Sequence, residues 1–304
     1  MSVINLKTKW AKLSVFSNLI LVIFKVVVFF FTGALSILSE AIHSVIDLMA
    51  ALIAYVSVKK SSMPPDEEHP FGHGKFENLS GFIEAILIIL AAFYIVYEAI
   101  SRFSTEYKID SIGVAILVMG ISALVNFFVS KKLYTIAKRT DSIAIETDAA
   151  HIFVDVYTCL AVFAGLVVIH FSGMAFLDPL ISVSLAVYIF FLGVKLTIKS
   201  TKGLLDTSLP EEETDKIEGI ILDHIGKIVS FHKLATRKSG SDKMIEVHIQ
   251  FVPDISLKEA HEISHHIEDD IHNSIHSSRV TIHIEPCEEH CKNCDSTDCI
   301  TRKV

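Results

Sequence analysis

Cysteine is nearly absent from the first 286 residues, where Cys159 stands alone; the other four crowd the last eighteen. That distribution builds no disulfide framework of an extracellular domain and suits reduced thiols in a cytosol. A basic excess is missing too. Net charge is −8 with a pI near 6.0, so nothing favours nucleic acid. No small-residue cleavage signature follows the apolar stretch after the basic segment MSVINLKTKWAKL. It reads as a retained first helix rather than a signal peptide. Polar sequence is scarce before Leu205: 51% of the chain is hydrophobic, and the apolar residues come in blocks. Mean hydropathy of +0.50 is too high for an ordinary soluble domain. After Leu205 the chain turns polar, acidic and histidine-rich.

A membrane span needs roughly 20 apolar residues. Six stretches qualify, near 11–31, 34–57, 78–102, 111–133, 144–171 and 177–199. The first and fifth loops lack Lys and Arg. The N-terminus carries Lys7, Lys9 and Lys12, the second loop Lys59, Lys60 and Lys75, and the fourth Lys131, Lys132, Lys138 and Arg139. By the positive-inside rule both termini face the cytoplasm.

Spans two and five each carry a histidine followed four residues later by an aspartate: His43 with Asp47, and His151 with Asp155. That spacing puts both side chains of a pair on one helix face. His43 and Asp47 lie about 9–13 residues from the outer end of their span, roughly 14–20 Å deep. His151 and Asp155 reach similar depth from the inner side. Ionisable groups there are expensive and mark a partner or a pathway. Two imidazoles and two carboxylates make a four-coordinate, zinc-like donor set, neutral with a divalent ion bound. Asn18, Lys25, Glu40, Glu84, Asn126 and Asp148 are weaker intramembrane signals, for which helix-helix hydrogen bonding is at least as good a reading.

From Leu209 the pattern reads αββαβ, a small split-sheet module after the helical membrane domain. The expected division is 1–206 for transport, 207–287 for the α+β module and 288–304 for a Cys-rich tail. The module is dense in histidine. Its His261-Glu262-Ile263-Ser264-His265 is a formal HExxH, which a protease would need to complement with a third ligand and a cleft. Cys287, Cys291 and Cys294, with Cys299 and His290 nearby, read as thiolate zinc ligands or as a tail without specific role.

Taken together, the chain resembles the cation diffusion facilitator family of divalent-metal transporters over nearly its whole length. The resemblance implies that His43, Asp47, His151 and Asp155 form the transport site. In DEEHPFGHGKFENL, Asp66, His69 and His73 match a second metal site. His232, His248, His261 and His283 match a binuclear cytoplasmic site, with Glu285 where an acidic ligand is common. Lys75 and Asp206 resemble a charge pair linking the two domains. The resemblance further implies a homodimer joined through a metallochaperone-like cytoplasmic domain, sitting in a bacterial-type plasma membrane and exporting metal. Some bacterial members have two aspartates in span two, where this chain has His43 then Asp47. Softer imidazole points to Zn2+, with Cd2+, Co2+ and Fe2+ as further substrates and protons as the exchanged ion. A membrane-anchored metal sensor or metalloenzyme is the alternative.

Overall fold

The computed structural model describes residues 3–33, 35–104, 112–172 and 177–287. They form two units, Met1–Leu204 and Leu205–Val304.

The first unit is six helices: α1 Val3–Thr32, α2 Leu35–Ser61, α3 Lys75–Ser104, α4 Ile112–Thr140, α5 Ile143–Ser172 and α6 Leu177–Leu204. Lengths of 27 to 30 residues give about 40–45 Å at 1.5 Å per residue, more than a bilayer's hydrocarbon core of roughly 30 Å. The apolar stretches therefore mark only the middle of longer helices. α1 begins at Val3, ahead of the apolar stretch expected from residue 11, and α4 runs on through Lys131 and Lys132 to Thr140. Lys138 and Arg139 in the last turn of α4 offset its carbonyl end.

Five helices, all but α5, are long and apolar enough to cross a membrane on their described residues. α5 carries Glu146, Asp148 and Asp155 in its first half. Packing explains how it tolerates them. Ala144, Ile145, Ala149 and Ile152 pack with Ala11 of α1, Val58 of α2 and Leu133 of α4. Ala150 and Val154 pack with Ala85 and Ile88 of α3 and Ile189 of α6. Protein thus covers the first half of α5, where these acids lie, on two sides. The neighbouring helices expose Phe16, Phe30, Phe31, Tyr97, Phe128 and Phe191, an apolar belt suited to lipid. α3 and α6 pack closely. A Cβ added to Gly193 would come within 2.7 Å of Ile89 and 3.3 Å of the Ala85 carbonyl.

The second unit holds α7 Glu211–Leu222, β1 Ser230–Ser239, β2 Asp242–Phe251, α8 Leu257–Ser274 and β3 Ser278–Pro286. This is the expected αββαβ order. β1 pairs antiparallel with the central β2, and β3 joins β2 in parallel after the α8 crossover. Ser256 caps α8, its Oγ accepting from the Glu259 N–H at 3.2 Å. Ile245, Val247, Ile249 and Phe251 face a core with Ile217 and Ile221 of α7 and Ile267 and Ile271 of α8. Alternation then leaves Glu246, His248 and Gln250 on the opposite face.

Candidate metal sites

Helices α2 and α5 bring the two intramembrane pairs together. His151 Nε2 lies 3.3 Å from Asp47 Oδ1, and His43 Nε2 lies 3.5 Å from Asp155 Oδ1. Within α2, His43 Nε2 is 3.9 Å from Asp47 Oδ1. His43, Asp47 and Asp155 each offer one ligand atom, all within 4.8 Å of one another. His151 joins this trio through Asp47. Side chains of Asp47, His151 and Asp155 are 5%, 7% and 15% accessible, whereas His43 is 46% accessible. Three of the four side chains are thus largely buried, and His43 is the exposed one. Asn126 of α4 adds a contact from a third helix: its amide Nδ2 donates to Asp155 Oδ2 at 3.3 Å.

Other intramembrane polar groups pair around this cluster. Lys25 of α1 donates to Glu40 Oε2 at 3.0 Å and to Ser44 Oγ at 2.8 Å. A larger network was not visible in the sequence. Glu77, at the start of α3, is fully buried. It takes an ion pair from Lys7 at 2.7 Å, a hydrogen bond from Ser61 at 2.9 Å and a short one from Ser142. Four segments therefore meet on one carboxylate. Lys7 counted in the sequence only as an orienting charge, yet it is 4% exposed. Nothing in a single sequence separates a buried lysine at a span end from a solvated one.

The loop between α2 and α3 is a built turn. The Asp66 carboxylate accepts from the His69 N–H at 2.7 Å, and Gly72 N–H donates to the His69 carbonyl at 2.9 Å. Gly72 has φ 91°, open to glycine without strain. The turn brings His69 Nδ1 to 3.4 Å from Asp66 Oδ1 and His73 Nε2 to 3.2 Å from Asp66 Oδ2. His73 is buried, Asp66 exposed. All three offer ligand atoms within 4.8 Å. The His69 backbone N–H, helped by both imidazoles, holds the Asp66 carboxyl below its usual value.

On the sheet, His232, His248 and His283 are register partners across β1, β2 and β3. They form one row on the face opposite the core. Ring centroids are 5.3 Å apart for His232 and His248, and 4.6 Å for His248 and His283. Glu285 reaches all three: His248 Nδ1 at 2.6 Å, His232 Nε2 at 3.3 Å and His283 Nε2 at 3.5 Å. His248's bond keeps the Glu285 carboxyl below its usual value. A bulge between His232 and Ala235, with Lys233 at φ 52°, inserts one extra residue. Phe231 and Leu234, three apart, thereby both reach the core while His232 stays in the row.

His261 lies elsewhere, exposed on α8 with its ring 5.8 Å from that of His265. It is outside the trio of His232, His248 and Glu285. Lys75 Nζ donates to the Leu204 carbonyl at 3.4 Å, and Asp206 accepts from Arg237 at 3.1 Å. Cys291, Cys294, Cys299 and His290 lie outside the described residues.

Residues 11–205 match the cation efflux transmembrane domain, and residues 209–287 match the cation efflux protein cytoplasmic domain. The chain belongs to the cation diffusion facilitator family. It is 31% identical over 285 residues to the "Uncharacterized transporter sll1263" of Synechocystis, covering 94% of this chain and 92% of that one. Protein p34 of Rickettsia prowazekii is 29% identical, covering 91% and 92%. The cation-efflux pump FieF of Citrobacter koseri is 29% identical, covering 90% of each. This cation diffusion facilitator is therefore an integral membrane cation efflux transporter. Members of the family are transporters rather than enzymes, which is consistent with no protease role for the HExxH stretch.

Proposed function

We propose that this transporter exports zinc from the cytoplasm in exchange for protons, through His43, Asp47, His151 and Asp155. One observation carries the reading. Two helices that are far apart in sequence deliver two imidazole nitrogens and two carboxylates to one largely buried cluster. Four N and O donors suit a tetrahedral divalent ion. The imidazole share favours zinc over magnesium or manganese; cadmium, cobalt and ferrous iron fit less selectively.

Proton exchange follows from the same donors. Metal and protons compete for the same lone pairs, so an ion leaving the cluster is replaced by protons. If the cluster opens alternately to each side, a proton gradient drives metal outward. The proposed orientation places both termini in the cytoplasm of a bacterial-type plasma membrane. The loop site of Asp66, His69 and His73 then receives cytosolic zinc. His232, His248, His283 and Glu285 hold regulatory zinc and steady a homodimer joined through the cytoplasmic domain. The donor row on the sheet fits that ion, because three nitrogens and a carboxylate share one face.

The test is zinc flux in proteoliposomes with an imposed pH gradient. Zinc should enter vesicles with an acidic lumen while the lumen turns alkaline. Zinc entry that ignores the gradient and moves no protons would replace exchange with a passive channel.

A further inference from the structure

Asp155 uses its two oxygens differently. Oδ1 faces the cluster, 3.5 Å from His43 Nε2, and Oδ2 is taken by the Asn126 amide at 3.3 Å. An ionised carboxylate only accepts hydrogen bonds, so the amide must present its NH2 group, whichever way round its atoms are assigned. Asn126 is 7% exposed, on a helix that supplies none of the proposed ligands. An apolar residue there would satisfy lipid and helix packing equally well. A buried amide is retained at a desolvation cost unless it has a partner, and Asp155 is that partner.

We infer that Asn126 sets metal selectivity by occupying Asp155 Oδ2, so that Asp155 binds metal through one oxygen. The inference rests on the transport-site reading above. A carboxylate with both oxygens free can chelate an ion. Larger cations gain more from this, because their coordination shells take more oxygens. A small ion such as zinc is content with four donors. Pinning one oxygen therefore penalises cadmium against zinc. The same bond fixes the rotation of the carboxylate, so Oδ1 is already aimed at the cluster when the ion arrives. Asn126 is thus a positioning residue, acting through Asp155.

The test measures zinc and cadmium transport separately in proteoliposomes holding the full-length protein. Asn126→Leu removes the amide in a larger side chain of the same branching, Asn126→Ala removes it without risk of a clash, and Asn126→Gln keeps an amide donor. Losing a hydrogen bond to a charged group is expected to shift the cadmium-to-zinc ratio of kcat/KM by about tenfold toward cadmium in the Leu and Ala variants. The shift should come from a raised KM for zinc and a lowered one for cadmium. Asn126→Gln should stay nearer the wild-type ratio. A ratio within about twofold of wild type in both variants without the amide, with both metals slowed alike, would reduce Asn126 to a packing role and overturn the inference. Asp155→Ala separates the two levels. If that variant carries zinc normally, the transport site itself is wrong; if it is inactive and the selectivity of the Asn126 variants is unchanged, only the inference fails.

Discussion

His151 Nε2 on α5 stands 3.3 Å from Asp47 Oδ1 on α2. This contact closes the cluster across more than a hundred residues of sequence. If one ion uses both groups, their contributions are not independent. Asp47→Ala and His151→Ala should each remove the buried zinc equivalent, and the double variant should remove no second one. Equilibrium dialysis on purified protein counts the ions. Two equivalents lost in the double variant would place these residues in separate sites.

The loop site is partly exposed and leaves room for water, so its ion exchanges readily. His69→Ala with His73→Ala should remove one zinc equivalent and slow transport only in part. Stoichiometry unchanged from wild type would return the turn to a purely structural role.

Glu285 gives a pH signature. Its ordinary value is 4.5, and the bond from His248 lowers it in the folded protein. A depressed carboxylate stabilises the fold fully above its unfolded value, and that stabilisation is lost as pH falls through the lower folded value. In metal-free protein the labelled Glu285 carboxyl carbon should therefore titrate below 4.5 by NMR. His248→Ala should bring it back up. A wild-type carboxyl titrating above 4.5 contradicts the geometry of the row.

Glu77 carries a structural prediction. Glu77→Gln leaves the Lys7 ammonium buried without its counter-charge. Breaking one side of a buried pair costs roughly 3–5 kcal/mol. The variant should lose thermal stability in detergent far more than Glu67→Gln on the exposed loop. Equal melting temperatures for the two would show that Lys7 reaches water.

Much of the architecture was legible because its signals are local. Apolar blocks gave the helices, and alternation gave β2 and β3. The His43–Asp47 and His151–Asp155 pairs were readable because four residues is one helical turn. What bound α4 to the cluster was not. Asn126 looked like any intramembrane amide, since its partner Asp155 is 29 residues away. Lys7 and Glu77 meet across 70 residues, and neither charge looks unusual alone. In β1, strict alternation would set Phe231 and Leu234 on opposite faces; the bulge at Lys233 restores both to the core. Each of these depends on contacts between distant segments, which no local period encodes.

The central claim is that metal crosses through the buried cluster, and Asp155→Ala tests it most directly. Removing that carboxylate leaves an incomplete shell in a low-dielectric site, with its remaining charges uncompensated. Zinc flux into proteoliposomes, at matched reconstitution and with a folded, correctly inserted variant, should be nearly abolished. Flux close to that of the wild type would contradict the account.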